Sequence, residues 1–347
     1  MANYPRCKII AEAGVNHNGS LSEAHKLIDI AKNAGADFVK FQSFNANELV
    51  TKEASQAKYQ KIANKKQSQL DMLKELEISE AGFKELFLHC EETGIKFLST
   101  PFDIYHANNL INLGMEIIKV PSGELTNFPF IKELAKLDLP MIISTGMASI
   151  NEIEETIEWI KAERHINKMN PNLKNLITLL HCTSCYPAPN ESINLRAINT
   201  MKNKFKLDVG YSDHSTGLDV APLAVAMGAK FIEKHFTADK NQIGPDHKAS
   251  LDPDELTEMI KRIRSTEMIL GSSIKQPTKY EEEIKISSRR SLCLIKDMKK
   301  GDKISIDKIT PKRPGNGIQP KEIEKVLGKI LNKNKFRGNT LFWKDLL

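Results

Sequence analysis

Short apolar runs alternate with longer segments of helical period from Lys8 to about Gly271. Eight of the runs read as strands: KIIAEAG from Lys8, DFVKFQS from Asp37, KFLSTPF from Lys96, EIIKVPSGE from Glu116, MIISTG from Met141, ITLLHCTSCYP from Ile177, LDVGYSD from Leu207 and KFIEKHFT from Lys230. Between and after them, stretches such as LSEAHKLIDIAKNAG, INEIEETIEWIKAE and DPDELTEMIKRIRSTEMIL repeat their apolar residues at the 3.6-residue period of a helix. Several open on Ser, Asp or Asn and one closes on Gly, as capped helices do. Parallel strands covered by helices on both faces read as continuous apolar runs. Residues 1–271 are therefore expected to form a (β/α)8 barrel. A doubly wound sheet would normally carry a glycine-rich first turn, and EAGVNHNGS is not GxGxxG.

After the barrel pattern, residues 272–286 (SSIKQPTKYEEEIKI) read as a polar linker. Residues 287–347 show short strands, turn residues and one short helical piece, which predicts a small β-rich module. Charge follows the same division. Residues 272–347 hold 19 Lys+Arg and 9 Asp+Glu, a net of +10, which leaves a net of −4 on residues 1–271. A basic tail raises nucleic acid as a partner. Here the basic residues are interspersed with acids and lack interleaved aromatics, so a solvated surface or a lid over an anionic substrate is expected instead. Neither a signal peptide nor an apolar run of about 18 residues is present, so no membrane is expected. The five cysteines form no even framework, which points to a reducing, cytoplasmic setting.

In such a barrel the chemistry sits at the C-terminal ends of the strands. Those ends carry Glu12 and Asn16, then Lys40 and Gln42, then Thr100, then Lys119, Ser122 and Glu124. Ser144 follows the fifth strand, Ser184 and Tyr186 the sixth, Ser212 and His214 the seventh, and His235 the eighth. Two-residue alternation places Lys40 with Gln42, Ser122 with Glu124 and Ser212 with His214.

Strands 7 and 8 are neighbours and strand 8 closes against strand 1, so His214 and His235 should converge with Glu12 nearby. Two imidazoles and a carboxylate suit a divalent metal with open positions. Two hydrogen-bonded rim histidines are the other reading. Lys40 and Lys119, with the hydroxyls of Ser122, Ser144 and Ser212, suit an anion such as phosphate or carboxylate. Schiff-base chemistry on a strand lysine is the alternative. CTSC at Cys182–Cys185 is a lone CxxC without a second pair. Asp246 and His247 lie in the last βα loop, where they suit sugar hydroxyls or the shaping of a turn.

IAEAGVNHNGS, FVKFQSF, FLSTPFD, KVPSGE, ISTGM, LLHCTSCYPAP, VGYSDHSTG, IEKHFT, GPDHKASLDP and KRPGNGI, in this order, resemble the sialic acid synthase family. Those enzymes condense phosphoenolpyruvate (PEP) with an N-acetylated amino sugar, and the tail is similar to their antifreeze-like (SAF) domain. The resemblance implies that His214 and His235 bind manganese, with magnesium or cobalt as alternatives. It implies that Lys40, Gln42, Thr100, Lys119, Ser122, Ser144 and Ser212 hold PEP, and that Asn64, Glu124, Tyr186 and Asp246 meet the sugar. Glu12 matches a carboxylate beside the reacting carbons. Arg313 matches an arginine delivered into a partner subunit, which implies a domain-swapped homodimer. Relatives often carry Asn where Ser184 stands, which leaves a PEP contact there open. FQSFNA, KLDVGYSDH and GPDHKASLDPDEL look more like the legionaminic acid branch than the N-acetylneuraminic acid branch. Pseudaminic acid synthesis and a lysine-dependent aldolase are the alternatives.

Overall fold

The computed structural model describes residues 6–56 and 68–347. It divides into two compact units, one ending at Gly271 and one running from Ser272 to Leu347.

In the first unit, eight parallel strands form the barrel wall. They are β1 (Lys8–Gly14), β2 (Phe38–Ser43), β3 (Lys96–Pro101), β4 (Ile118–Val120), β5 (Met141–Ser144), β6 (Ile177–Cys182), β7 (Asp208–Asp213) and β8 (Phe231–His235). Hydrogen-bonded neighbours run β3-β2-β1-β8-β7-β6-β5-β4. The two ends of this order, β3 and β4, lie against each other and nearly close the cylinder. Register fixes which groups meet: Glu12 is opposite both Lys40 and His235, and Ser212 is opposite Glu233.

Helices cover the outside. The helix Leu21–Ala34 buries Ala24, Leu27, Ile28 and Ala31, a stripe of spacing three and four. Full burial of a side chain such as Leu27 contributes about 1.5–3 kcal/mol. Ser20 caps its start, and Gly35 ends it at φ 86°, a left-handed conformation that favours glycine. Ser149 with Glu152, and Asp252 with Glu255, form capping boxes on the helices Ile150–Ile166 and Pro253–Leu270. Strand residues facing these helices, including Ile9, Val39, Ile143 and Ile232, are fully buried.

One strand is shorter than its sequence suggests. EIIKVPSGE was expected to stay extended to Glu124, but β4 stops at Val120 and Ser122–Glu124 is a 3₁₀ turn. Pro121 cannot donate a ladder hydrogen bond, so the strand ends before it. Ser122 and Glu124 therefore do not share a strand face.

The second unit pairs β9 (Ser291–Leu294) antiparallel with β10 (Ile309–Lys312) over a core that includes Leu292, Leu294, Ile304, Val326 and Leu341. The expected polar linker differs in its second half. A helix spans Glu281–Ser288, with three glutamates in its first turn, where the helix dipole favours them.

Candidate active site

Because side chains alternate along a strand, the face of β1 that carries Glu12 turns inward, with Lys40 and Gln42 beside it on β2. Lys40 Nζ lies 2.8 Å from Glu12 Oε2 and donates to Thr100 Oγ1 at 2.9 Å. Gln42 Nε2 donates to the other Glu12 oxygen at 3.3 Å. On β4, Lys119 Nζ donates to Ser144 Oγ at 2.8 Å and to the Val120 carbonyl at 3.3 Å. Six of the expected residues are thus joined in two clusters of contacts.

Glu233 links the two clusters, and the reading of strand ends missed it. Its Oε2 is 3.5 Å from Lys40 Nζ and its Oε1 is 3.7 Å from Lys119 Nζ. Ser212, expected beside the lysines, donates instead to Glu233 Oε1 at 2.8 Å. A signal was present, since Glu233 stands two residues before His235 and so shares its inward face.

Burial sets the charges of this network. It lifts the Glu12 carboxyl to about 7 against the pull of Lys40. Burial works against the charge of Glu233 too, but Lys119 and then Lys40 outweigh it and hold Glu233 down at about 2. Burial lowers Lys119, whereas Glu12 and Glu233 together overcome burial at Lys40 and raise it.

His214 and His235 converge as expected, with ring centroids 5.8 Å apart. His214 Nδ1 lies 2.8 Å from the Thr183 carbonyl, which can only accept, so Nδ1 carries the proton. The lone pair is then on Nε2, and the Tyr186 hydroxyl lies 3.0 Å from it. Burial pushes both histidines below the usual imidazole value, most strongly His235. His235 Nδ1 is buried with no hydrogen-bond partner among the described residues. Two neutral rings, one with its lone pair fixed and one with an orphaned nitrogen, fit a divalent ion. The expected carboxylate is not part of this pair, because Glu12 turns to Lys40 and Gln42. Among the described residues, no group of three or more His, Cys, Asp or Glu converges as a metal-binding set.

A further group surrounds Ser122. Its hydroxyl accepts from the Gly146 N–H at 3.0 Å and lies 3.2 Å from Cys182 Sγ. Ser184 Oγ faces the same spot, where a Cβ on Gly146 would meet it at 2.2 Å. The missing side chain of Gly146 thus lets the polar ends of Ser184, Ser122 and Cys182 pack against its backbone. Cys182 was passed over because CTSC was read as a lone CxxC without a second pair, and all five cysteines are free.

Glu124 is on the turn after β4 and accepts from Asn127 Nδ2 at 2.6 Å. Asp246 is buried in the loop after β8, and burial raises it to about 6. Its neighbour His247 ties that loop down through Thr237 at 2.7 Å and Asn18 at 3.2 Å. Arg313 belongs to the second unit, exposed, with Nε donating to the Ser288 carbonyl at 3.0 Å. Asn64 lies outside the described residues. A cleft of about 360 Å³ between the helices Glu80–Thr93 and Ile104–Leu113 holds none of the expected groups.

Residues 27–275 match the NeuB family model. The chain belongs to the NeuB family. Residues 289–347 of this NeuB-family chain match the SAF domain. It is 49% identical over 327 residues to an N,N'-diacetyllegionaminic acid synthase of Campylobacter jejuni, covering 94% of this chain and 96% of that one. A protein of the same name from Legionella pneumophila is 46% identical over 341 residues, with 98% and 94% covered. The solved structure of an N-acetylneuraminic acid synthetase from Leptospira borgpetersenii superposes with a TM-score of 0.71 at 35% identity, covering 80% of this chain and 90% of that one. Among the described residues of this NeuB-family chain, no helix is long and apolar enough to cross a membrane.

Proposed function

We propose that this chain is a nonulosonic acid synthase that condenses PEP with an N-acetylated amino sugar and releases phosphate. The observation that carries this reading is the pairing of two kinds of group at one barrel mouth. Two buried lysines, each hydrogen-bonded to a hydroxyl, stand beside two neutral imidazoles. The first pair suits an anion and the second a divalent cation. The 49% identity over 94% of this chain to a diacetyllegionaminic acid synthase favours 2,4-diacetamido-2,4,6-trideoxymannose over N-acetylmannosamine as the sugar.

On this reading Lys40, Lys119, Gln42, Thr100, Ser122, Ser144 and Ser212 hold and orient PEP. His214 and His235 would hold a divalent ion, manganese foremost, which when bound supplies Lewis-acid polarisation of the sugar aldehyde. The new bond joins PEP carbon 3 to the aldehyde carbon. Water adds at carbon 2, and phosphate leaves with cleavage of its C–O bond. Glu12, raised to about 7, is able to hold or release a proton at neutral pH beside these carbons, and its charged form opposes cationic charge at carbon 2. Tyr186, Glu124, Asp246 and Asn64 are assigned to the sugar. The same reading includes a homodimer in which Arg313 of the partner subunit completes the site.

The test is phosphate release from PEP by metal-stripped protein, with Mn2+ restored and the two sugars compared. Metal-dependent release is expected, faster with the 6-deoxy diacetamido sugar. Faster release with N-acetylmannosamine would change the product to N-acetylneuraminate. No release with either sugar and no PEP binding would remove the synthase reading.

A further inference from the structure

Glu233 faces both interior lysines, but it does not serve them equally. Lys40 has a second carboxylate, Glu12, at 2.8 Å. Lys119 has neutral near contacts, the Ser144 hydroxyl at 2.8 Å and the Val120 carbonyl at 3.3 Å. Its nearest carboxylate oxygen is Glu233 Oε1 at 3.7 Å. Both partners are shut away from water, Lys119 at 2% exposure and Glu233 at 6%. A buried ammonium ion without a counter-charge gives up its proton rather than remain charged.

The other charged or titratable groups facing Lys119 cannot replace Glu233. Lys40 on β2 repels it, and Cys182 on β6 remains a neutral thiol because burial pushes its pKa up. Glu12 on β1 acts from further away and is engaged by Lys40 and Gln42. Ser212, donating at 2.8 Å, fixes the Glu233 carboxylate at the point where it meets both lysines.

We propose that Glu233 is a positioning residue for anion binding, holding Lys119 as an ammonium ion so that the phosphate and carboxylate of PEP meet two full positive charges. This rests on the reading of the barrel mouth as a PEP site. Glu233 itself touches no substrate atom in this scheme and acts through Lys119 and Lys40.

The experiment measures PEP dissociation constants by calorimetry for the full-length protein, with Mn2+ present and sugar absent, at pH 7.5 and 8.5. Wild type, Glu233→Gln and Glu233→Asp are compared after circular dichroism has checked their folding. Glu233→Gln is expected to bind at least tenfold more weakly at pH 8.5. Its affinity should fall close to tenfold per pH unit, because neutral Lys119 must recapture a proton on binding. Wild type should respond much less to pH. Glu233→Asp keeps the charge and should restore the flat response, with affinity several-fold below wild type because the shorter side chain draws the carboxylate back.

Wild-type binding together with an unchanged, equally flat Glu233→Gln variant overturns this proposal alone. If Glu233→Gln does not fold, Glu233→Asp decides, and an affinity equal to wild type overturns the proposal. Wild-type protein that binds no PEP overturns the functional reading and this proposal with it.

Discussion

The hydroxyl of Tyr186 lies 3.0 Å from Nε2 of His214, and the two rings overlap with centroids 4.2 Å apart. Because Nδ1 is committed to the Thr183 carbonyl, Nε2 is the nitrogen available to a metal. A metal on Nε2 must therefore displace the tyrosine hydroxyl. Giving up one such hydrogen bond costs about 1 kcal/mol. Tyr186→Phe is expected to bind Mn2+ roughly fivefold more tightly, as measured by loss of the free-ion electron paramagnetic resonance signal. Affinity equal to or below wild type would show that the hydroxyl does not compete for that nitrogen.

Glu12 is central to the network without being needed to keep Lys119 charged. Glu12→Gln keeps the side-chain shape and leaves Glu233 in place beside both lysines. PEP should bind within a few-fold of wild type while turnover falls by at least a hundredfold, the usual range for a lost acid–base group. Calorimetry reads the first quantity and phosphate release the second. Near-normal turnover would remove Glu12 from the mechanism.

The contrast between Glu12 and Glu233 shows what the chain made legible. Strand ends could be read because polar residues stand out where apolar runs stop, which found Glu12, Lys40, Lys119, His214 and His235. Glu233 was hidden because β8 is buried on both faces. Lys234, on the opposite face, is also buried and pairs with Asp213 at 2.9 Å, so polar against apolar does not mark inside against outside here. The order of the eight strands was legible from periodicity, whereas the end of β4 depended on Pro121, whose missing N–H outweighed the extended look of KVPSGE. The close packing at Gly146 escaped notice because it depends on an absent side chain, whose place is taken by Ser122 from the turn after β4 and by Cys182 and Ser184 from the end of β6 and the loop after it.

That packing gives a sharp test. A Cβ on Gly146 would lie 2.2 Å from Ser184 Oγ, 2.8 Å from Ser122 Oγ and 2.9 Å from Cys182 Sγ. Gly146→Ala should cost about 1–3 kcal/mol in stability through overpacking. If the Ser122 hydroxyl that Gly146 holds belongs to the PEP site, KM for PEP should rise at least tenfold while KM for the sugar changes little. Adding Ser184→Ala removes the nearest clash and should restore part of the loss. Equal effects on both KM values would assign Gly146 a packing role alone.

The second unit carries its own buried ion pair. Asp345 is fully buried and pairs with Lys335, itself 8% exposed, and with Lys333 at 2.9 Å. Burial works against the Asp345 charge, but the two lysines and the Phe342 N–H outweigh it and hold its pKa below the usual carboxylate value. A folded-state pKa below the unfolded one stabilises the fold above the unfolded value, near 3.8, and that stability is lost as pH falls through the folded value. Asp345→Asn removes the charge and leaves Lys335 buried without its partner, which costs roughly 3 kcal/mol. At neutral pH, hydrogen exchange in residues 291–347 should therefore quicken by about two orders of magnitude, while the barrel amides keep their protection. As pH falls through the folded value the two proteins should converge, because the wild-type carboxyl then loses its charge as well. Unchanged exchange at neutral pH would mean that the pair contributes no net stability, its attraction only offsetting the cost of burying both charges.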